Sequence, residues 1–551
     1  MRLILGLLAL ALGLPVCAEP LVQISAAKIY TQDPHQAVVE SMLVDSRRGI
    51  VVALGTRAEM AQRAPDARLV DLGSATVTPG LIDAHGHLLG QGLGMARADL
   101  VGTRSKGEIL ERLRLKAAEL PPESWLLGRG WDQNDWENAA FPSAADLDRA
   151  FPNRPVFLRR IDGHAGWANS AALARVKRDL SGEWQPEGGR ILRDGGGKPT
   201  GVFVDAAIAL VEREIPQPTK AEIRQAFAVA MQFAASSGLT GVHDMGMSFA
   251  QFEVLRQMDR EDALPIRVYA HADGDALALR ALCALGPFGK AGDRLQLRAV
   301  KLYMDGALGS RGARLLADYS DEPGNRGIWV TEPAQLEALV RRADQCGLQV
   351  ATHAIGDEAN RVVLDTYARV KGERLAAARW RVEHAQIVDP SDLGRFAELG
   401  VIASMQPTHA TSDMPWVPAR LGPDRLGGAY AWREMLKTGS HLAFGSDFPV
   451  EAVSPLLGLY AAITRQDLDQ LPRGGWLPDQ RLDLAEALAA FTVGAAYASF
   501  EEGQIGRLSP GFQADLVAFD ADPFDVSARA IVDLTIEQTW VAGKPVFQRA
   551  Q

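Results

Sequence analysis

The chain has 551 residues, of which 47% are hydrophobic and 23% are charged. This composition is ordinary for a folded protein with a sizeable core and excludes a disordered one. Lys and Arg total 58 against 68 Asp and Glu, which gives a net charge of -10. Because no basic stripe is present, we expect no nucleic-acid partner. The length favours one large core with an appendage.

The N-terminal residues MRLILGLLALALGLPVCAEP combine Arg2, an apolar run and small residues before Glu19. This pattern predicts a signal peptide over residues 1–18, since the run is short for a bilayer span of about 20 residues. We therefore expect an exported protein, periplasmic or secreted, with no stable membrane anchor after cleavage. Of the remaining cysteines, Cys283 and Cys346, we expect two separate buried thiols, with a single bridge as the alternative.

Both ends of the mature chain are predicted to form strands and hairpins. From Leu21 to Asp71, short apolar runs are broken by Pro34, Gly49 and Gly55, and the last fifty residues repeat this pattern. Termini often lie close together in folded domains. Residues 19–76 and 500–551 are therefore predicted to build one small composite β-sandwich domain.

Eight strand-like runs, each followed by a helical pattern, lie between these ends: TVTPGLIDAH, LTGVHDMG, IRVYAHAD, LQLRAVKLYMDG, LQVATHAIGD, RVEHAQIV, VIASMQP and HLAFGSDFPV. The alternation predicts parallel β–α–β units, and eight of them predict an α/β fold, a distorted (β/α)8 TIM barrel over residues 77–499. Residues 88–238 separate the first two strands and are predicted to be an insertion. Because it is rich in Trp, we expect a substrate lid, with a purely stabilising subdomain as the alternative.

Polar side chains stand at the ends of several predicted strands. His85 and His87 are two residues apart, so on a strand their imidazoles point to the same face. Lys301, His353, His384 and Asp447 each end a further strand-like run. In such a barrel these ends meet at one rim, which is where the chemistry is placed. Imidazole and carboxylate ligands together indicate a divalent metal, and zinc suits them best.

These motifs resemble the metal-dependent amidohydrolase superfamily, from TPGLIDAHGHL at the start to GRLSPGFQADLVAFD near the end. KLYMDGALGSRGA, THAIGD, RVEHAQ, SMQPTH and GSDFPV resemble its YtcJ-like branch, which includes N-substituted formamide deformylases. The resemblance implies two zinc ions per chain, bridged by a carboxylated Lys301, with the other ligands being His85, His87, His353, His384 and Asp447. A salt bridge between Lys301 and Asp305 is the alternative.

The resemblance also implies a reaction. A metal-activated hydroxide would attack the carbonyl carbon of a non-peptide amide such as an N-substituted formamide, and the carbon–nitrogen bond would break, with Asp447 as general base and then general acid. The same centre could hydrolyse an ester, lactone or phosphoester instead. A non-catalytic exported ligand-binding protein is the alternative from another class. The partner is a small-molecule substrate, while the metal, the substrate and a monomeric or homodimeric state stay open.

Further residues are predicted to serve the site from outside the ligand set. The candidates for substrate contact are Trp131, Asp132, His164, His243 and His409, with Asp244 and Arg420 as weaker ones. Asp305, Asp357 and Glu383 stand next to ligands in the sequence and are predicted to orient imidazoles. Ordinary hydrogen-bonded polar groups are the alternative for each of them.

Overall fold

The computed structural model describes residues 21–138, 140–160, 165–186, 189–274 and 276–550. The predicted signal peptide and His164 lie outside these ranges. The strands, in chain order, are β1 (Leu21–Tyr30), β2 (Val38–Asp45), β3 (Ile50–Gly55), β4 (Arg68–Asp71), β5 (Thr76–Pro79), β6 (Leu81–Gly86), β7 (Ala98–Asp99), β8 (Leu126–Trp131), β9 (Val156–Arg160), β10 (Ala165–Ala168), β11 (Gly189–Arg193), β12 (Pro199–Asp205), β13 (Leu239–Met247), β14 (Arg267–Asp273), β15 (Leu295–Tyr303), β16 (Gln349–Ala354), β17 (Arg381–His384), β18 (Ile402–Met405), β19 (Leu442–Phe444), β20 (Leu516–Phe519), β21 (Ile536–Val541) and β22 (Lys544–Gln548).

The α-helices are α1 (Arg57–Arg63), α2 (Leu88–Met95), α3 (Lys106–Ala118), α4 (Ala144–Asp148), α5 (Ser170–Leu173), α6 (Ala209–Glu212), α7 (Lys220–Ser236), α8 (Phe249–Arg260), α9 (Ala276–Leu285), α10 (Pro333–Gln345), α11 (Asp357–Lys371), α12 (Leu375–Ala378), α13 (Leu393–Leu399), α14 (Pro407–Asp413), α15 (Val417–Leu421), α16 (Trp432–Lys437), α17 (Pro455–Thr464), α18 (Leu484–Ala489) and α19 (Ala495–Ala498). Among the described helices, none has the length and apolar character needed to cross a membrane.

The central sheet has eight strands in the order β6-β13-β14-β15-β16-β17-β18-β19, and its neighbours are parallel. The first and last strands approach each other closely: Asp447 N donates to His85 O at 2.7 Å, and His87 N donates to Phe448 O at 2.9 Å. Gly445 permits this approach, because a Cβ there would lie 2.4 Å from His85 N. The sheet is a nearly closed parallel barrel, so the predicted α/β barrel fold is confirmed.

The barrel helices follow the sequence pattern that predicted them. In α8, Phe252, Leu255 and Met258 are buried at helical spacing against the strands. The helix begins at a capping box in which Ser248 and Gln251 satisfy each other's backbone N–H groups. Packing of such apolar faces against the sheet forms the main core and holds the strand ends at one rim.

Strands from both chain ends pair within one sheet, in the order β22-β21-β20-β5-β1-β2-β3, with β4 beside β1. The run TVTPGLIDAH, predicted as one strand, is divided between this sheet and the barrel at Gly80. That residue lies so close to the barrel that a Cβ would meet Thr240 at 2.3 Å. Buried Arg267 of the barrel binds Asp515 of the terminal sheet through two hydrogen bonds of 2.6 and 3.0 Å.

The segment between β6 and β13 contains a third sheet, in the order β11-β12-β10-β9-β8-β7, with hydrophobic clusters of its own. Trp131, Trp136 and Trp167 pack together there, with ring centroids 5.9 to 6.4 Å apart. The Trp131 indole is fully buried and donates to Leu158 O at 3.0 Å. The Trp131 ring therefore belongs to the core of the insertion, and its contact with substrate stays a prediction.

Cys283 and Cys346 form a disulfide with a Cα–Cα distance of 5.1 Å. The expectation of two separate thiols is therefore wrong. Cys283 lies in α9, and Cys346 caps the C-terminus of α10. The sequence did not indicate the pair because it depends on how these two barrel helices lie against each other.

Candidate metal centre

The six predicted ligand residues lie together at the carboxyl ends of the barrel strands. His85 is the penultimate residue of β6 and His87 follows that strand. Lys301 lies in β15, His353 in β16 and His384 in β17, while Asp447 follows β19. The Asp447 Oδ1 is 3.0 Å from His87 Nε2 and 3.5 Å from His85 Nε2. Lys301 Nζ is 3.2 Å from His85 Nε2. The His384 ring lies between those of His85 and His353, with centroids 4.7 and 4.6 Å away.

Three of these side chains can reach a single ion. The ligand atoms of His85, His384 and Asp447 all lie within 4.8 Å of one another, and all three residues are buried. Two imidazole nitrogens and a carboxylate oxygen are a common donor set for zinc and related divalent ions. The arrangement fits a metal, with His87, His353 and Lys301 bordering the trio.

The protonation states favour metal binding. Burial lowers the pKa of His85 and His384 well below the usual value and that of His353 to about 3. These imidazoles are neutral at neutral pH and keep a lone pair for a cation. Burial alone would raise the pKa of the Asp447 carboxyl, but the neighbouring imidazoles of His85 and His87 hold it below its ordinary range.

Burial also lowers the pKa of Lys301, to about 8, against the opposing attraction of Glu383 and Asp447. The Lys301 side chain is almost completely enclosed. Its nearest polar contact in the described structure is His85, not the Asp305 that the alternative interpretation required. A substantial fraction of this amine is therefore neutral near pH 8.

The backbone is strained at two of the ligands. His384 has φ 75° and Asp447 has φ 63°, and Ala385 next to His384 has φ 44°. Non-glycine residues seldom adopt this left-handed region, and such strain persists where the surrounding structure imposes it, often at functional sites. His384 is the last residue of β17, and Asp447 lies shortly after the end of β19, so both ligands turn the chain near the carboxyl end of a barrel strand.

A buried hydrogen-bonded network lies beneath the ligands. Glu383 Oε2 accepts from His85 Nδ1 at 2.7 Å, as the predicted orienting role for Glu383 requires. Glu383 Oε1 lies 2.7 Å from Arg381 Nε, and Arg381 also donates to Ser404 Oγ at 2.7 Å and to His243 Nδ1 at 2.9 Å. The sequence reasoning missed Arg381, although its i, i+2 spacing to Glu383 in RVEH places both charges on one face of a buried strand.

The other residues predicted to orient ligands have structural contacts instead. Asp305 accepts from the backbone N–H groups of Arg314, Ile355 and Gly356, and its Oδ1 stays 3.7 Å from His353 Nε2, beyond hydrogen-bond reach. Asp357 accepts from Leu316 N at 2.8 Å. These two predictions are corrected, because both carboxylates secure loops and helix starts around the rim.

Several of the candidates for substrate contact have other polar partners in the described structure. His243 is buried, and its Nδ1 accepts a hydrogen bond from Arg381. Asp132 pairs with Arg160 in the insertion, and Arg420 pairs with Asp321. Asp244 accepts from Leu88 N at 2.8 Å, and burial raises its pKa to about 6.

His409, by contrast, lies beside the ligand cluster. Its Nε2 is 3.7 Å from Asp447 Oδ2, and its ring is nearly parallel to that of His384. Of the five principal candidates, it is the one that the described structure places beside the metal centre.

Known proteins that are similar to this chain include hydrolases. A family model described as "Amidohydrolase family" matches residues 68–547. The putative amidohydrolase YtcJ of Bacillus subtilis is 32% identical over 95% of this chain and 98% of its own length. The N-substituted formamide deformylase of Arthrobacter pascens is 28% identical over 95% of this chain and 97% of its own. An uncharacterized metal-dependent hydrolase from Pyrococcus horikoshii superposes with a TM-score of 0.77 at 28% identity, covering 92% of this chain and 99% of that one.

Proposed function

Because this chain belongs to the amidohydrolase family and is a hydrolytic enzyme, we propose that it hydrolyses a carbon–nitrogen bond in a non-peptide amide, such as an N-substituted formamide. The resemblance drawn from its motifs to the YtcJ-like branch is confirmed. The named activity of the Arthrobacter relative supports the choice of bond. A small organic molecule is the expected substrate.

The observation that carries the proposal is the convergence of His85, His384 and Asp447 on one point at the barrel rim, with His87, His353 and Lys301 around it. A bound divalent metal would lower the pKa of a water molecule towards about 7 and polarise the carbonyl to be cleaved. We propose zinc as the metal, since neutral imidazoles and a carboxylate suit it best.

Asp447 has the properties of a proton carrier in this reaction. Its carboxylate is ionised, largely buried and within 3.0 Å of His87 Nε2, so it stands at the centre of the ligand cluster. We propose that one Asp447 oxygen takes the proton from the attacking water and passes it to the leaving nitrogen, as general base and then general acid. The nitrogen leaves as an amine and the acyl group as a carboxylic acid.

Lys301 is proposed to carry a carboxyl group. Its neutral amine can add CO2, forming an N–C bond and releasing a proton, and the resulting carbamate would join two divalent ions. Two observations support this step: the pKa of Lys301 is lowered to about 8, and its Nζ lies 3.2 Å from His85 Nε2.

Export is proposed as well. The N-terminal pattern predicts a signal peptide, and the Cys283–Cys346 disulfide supports an oxidising compartment, where such bonds persist. We further propose that the insertion helps to shape the mouth of the site, because α2 begins directly after His87. Fractionation of cells that express the full chain, and a form lacking residues 1–18, would test the location.

The decisive experiment joins metal analysis to a substrate screen of the purified mature protein. We expect about two zinc ions per chain, the mass of one CO2 on Lys301, and turnover of N-substituted formamides above that of esters, lactones and phosphoesters. Asp447→Asn should abolish turnover, whereas Asp389→Asn, outside the ligand cluster, should not. Turnover that survives Asp447→Asn, or a protein that binds no metal, would overturn the mechanism; preferential ester cleavage would overturn the choice of bond.

A further inference from the structure

Two glutamines hold two histidines beside the metal centre in a reciprocal arrangement. Gln406, which follows β18, accepts from Nδ1 of His384 at 2.8 Å through its Oε1. Gln386, which follows β17, donates from its Nε2 to Nδ1 of His409 at 3.0 Å. Gln406 therefore binds the histidine that ends β17, and Gln386 binds a histidine in α14, the helix that follows β18. The two imidazoles are nearly parallel, with ring planes 19° apart and centroids 5.9 Å apart.

The two glutamines select opposite tautomers. A neutral imidazole has one N–H donor and one acceptor nitrogen, so the partner of Nδ1 decides which role Nε2 takes. Because Gln406 accepts from His384, the His384 Nε2 keeps its lone pair for a metal. The Gln406 amide is held in this orientation by its own Nε2, which donates to Ser404 O at 3.3 Å. Because Gln386 donates to His409, the proton of His409 lies on Nε2.

The His409 Nε2 has no hydrogen-bond partner in the described structure, although it is buried. The side chain is 9% exposed, and Nε2 is 3.7 Å from Asp447 Oδ2, slightly too far for a hydrogen bond. A buried donor without a partner is unfavourable, so a bound group that accepts its hydrogen bond is favoured. This nitrogen lies 3.7 Å from Oδ2 of Asp447, the proposed proton carrier, so a carbonyl attacked beside Asp447 would come within reach of the N–H.

We propose that His409 is a catalytic residue whose Nε2–H donates a hydrogen bond to the carbonyl oxygen of the substrate, and that Gln386 is the positioning residue that holds the proton there. This inference rests on the proposed hydrolysis of an acyl bond. As water attacks, negative charge grows on that oxygen, and a donor already fixed in a buried site stabilises it without reorganisation. His409 transfers no proton and forms no bond to the substrate carbon.

Variants of both residues test the proposal on the best substrate from the panel, whether amide or ester, since both develop this oxyanion. His409→Leu removes the donor and should lower kcat by about 10²–10³-fold, the effect of losing one oxyanion donor. KM should change by less than about threefold, because the contact forms mainly in the transition state. His409→Gln, which keeps an N–H at the end of the side chain, should recover part of the loss.

Gln386→Glu is the matched variant for tautomer control. A carboxylate accepts from Nδ1–H, so it should move the proton off Nε2 and lower kcat nearly as far as His409→Leu. Gln386→Met, which favours neither tautomer, should have a smaller effect. Zinc content should stay that of the unaltered enzyme in all four variants. Loss of zinc in His409→Leu would instead make His409 a ligand, and a kcat within about threefold of the original would also overturn the proposal.

A second measurement does not depend on activity. In protein labelled with ¹³C,¹⁵N-histidine, magic-angle-spinning NMR distinguishes Nε2–H from Nδ1–H imidazoles, and subtraction of the His409→Leu spectrum identifies the His409 signals. We expect Nε2–H in the original enzyme and Nδ1–H in Gln386→Glu. An Nδ1–H signal in the original enzyme would refute the inference. If no amide is cleaved but ester turnover falls in His409→Leu, the proposed carbon–nitrogen specificity fails while the role of His409 stands.

Discussion

Replacing Glu383 by Gln is expected to weaken metal binding and to destabilise the fold, by separate routes. Glu383 and Arg381 are both completely buried, with Oε1 and Nε 2.7 Å apart. An amide in place of the carboxylate leaves the guanidinium buried without its counter-ion, which lowers the free energy of unfolding by about 3–5 kcal/mol. The same change removes the charge that accepts from His85 Nδ1 at 2.7 Å. Loss of such a partner typically lowers metal affinity about 10–100-fold.

A double variant separates the two effects. Arg381→Met combined with Glu383→Gln removes both charges, so no guanidinium is left buried without a counter-ion. The double variant should therefore regain most of the lost free energy of unfolding. Its metal affinity should stay low, because no carboxylate faces His85.

Urea denaturation of the metal-free protein measures the first quantity, and zinc titration against a chelating dye measures the second. Glu486→Gln is the control, since Glu486 pairs with Arg433 in a partly exposed salt bridge far along the chain from the ligands. It should change stability by at most about 1 kcal/mol and leave zinc affinity alone. The reasoning is refuted if zinc affinity in Glu383→Gln stays within about threefold of the original, or if the double variant regains affinity together with stability.

Two further predictions concern Lys301 and the disulfide. In the metal-free protein, carbamoylation of Lys301 by cyanate should accelerate with pH only up to about 8 and then level off, because burial lowers the pKa of Lys301 to that value. Peptide mass spectrometry measures the rate of carbamoylation, with exposed Lys437 as the control. A rate at Lys301 that still rises near pH 10 would contradict the prediction. Changing Cys283 and Cys346 together to Ser should lower the free energy of unfolding by about 4 kcal/mol, since the bridge spans 63 residues. Urea denaturation measures this change, and unchanged stability would show that the two thiols are not joined.

The strand ends were the part of this molecule that local patterns could predict. His85 and His87 follow the two-residue repeat of a strand, and Lys301, His353 and His384 each end an apolar run that the barrel requires. These features depend on short stretches of chain. The alternation of strands and helices then implies that the ends meet, because parallel strands place their carboxyl ends at one edge.

Contacts between distant segments could not be predicted in the same way. Glu383 reaches His85 across 298 positions, and Gln386 reaches His409 across a helix, a strand and a turn. Trp131 looked like a mouth residue because aromatic residues in an insertion are often exposed to ligands, but the third sheet provides a core that buries it. Sequence spacing gives the direction of a side chain on its own element and not the neighbour that it meets.

The charges inside the barrel indicate why the proposed carboxylation and metal binding depend on each other. Arg381 balances Glu383 below the ligands, so these two contribute little net charge to the centre. Above them, Asp447 is an anion and Lys301 is an amine in the metal-free state. Carboxylation would place a second anion beside Asp447 in a buried site, which is unfavourable without compensating cations. Two divalent ions would supply that compensation, so the proposed carbamate and the metals would stabilise each other, and removal of the metals should return Lys301 to its amine.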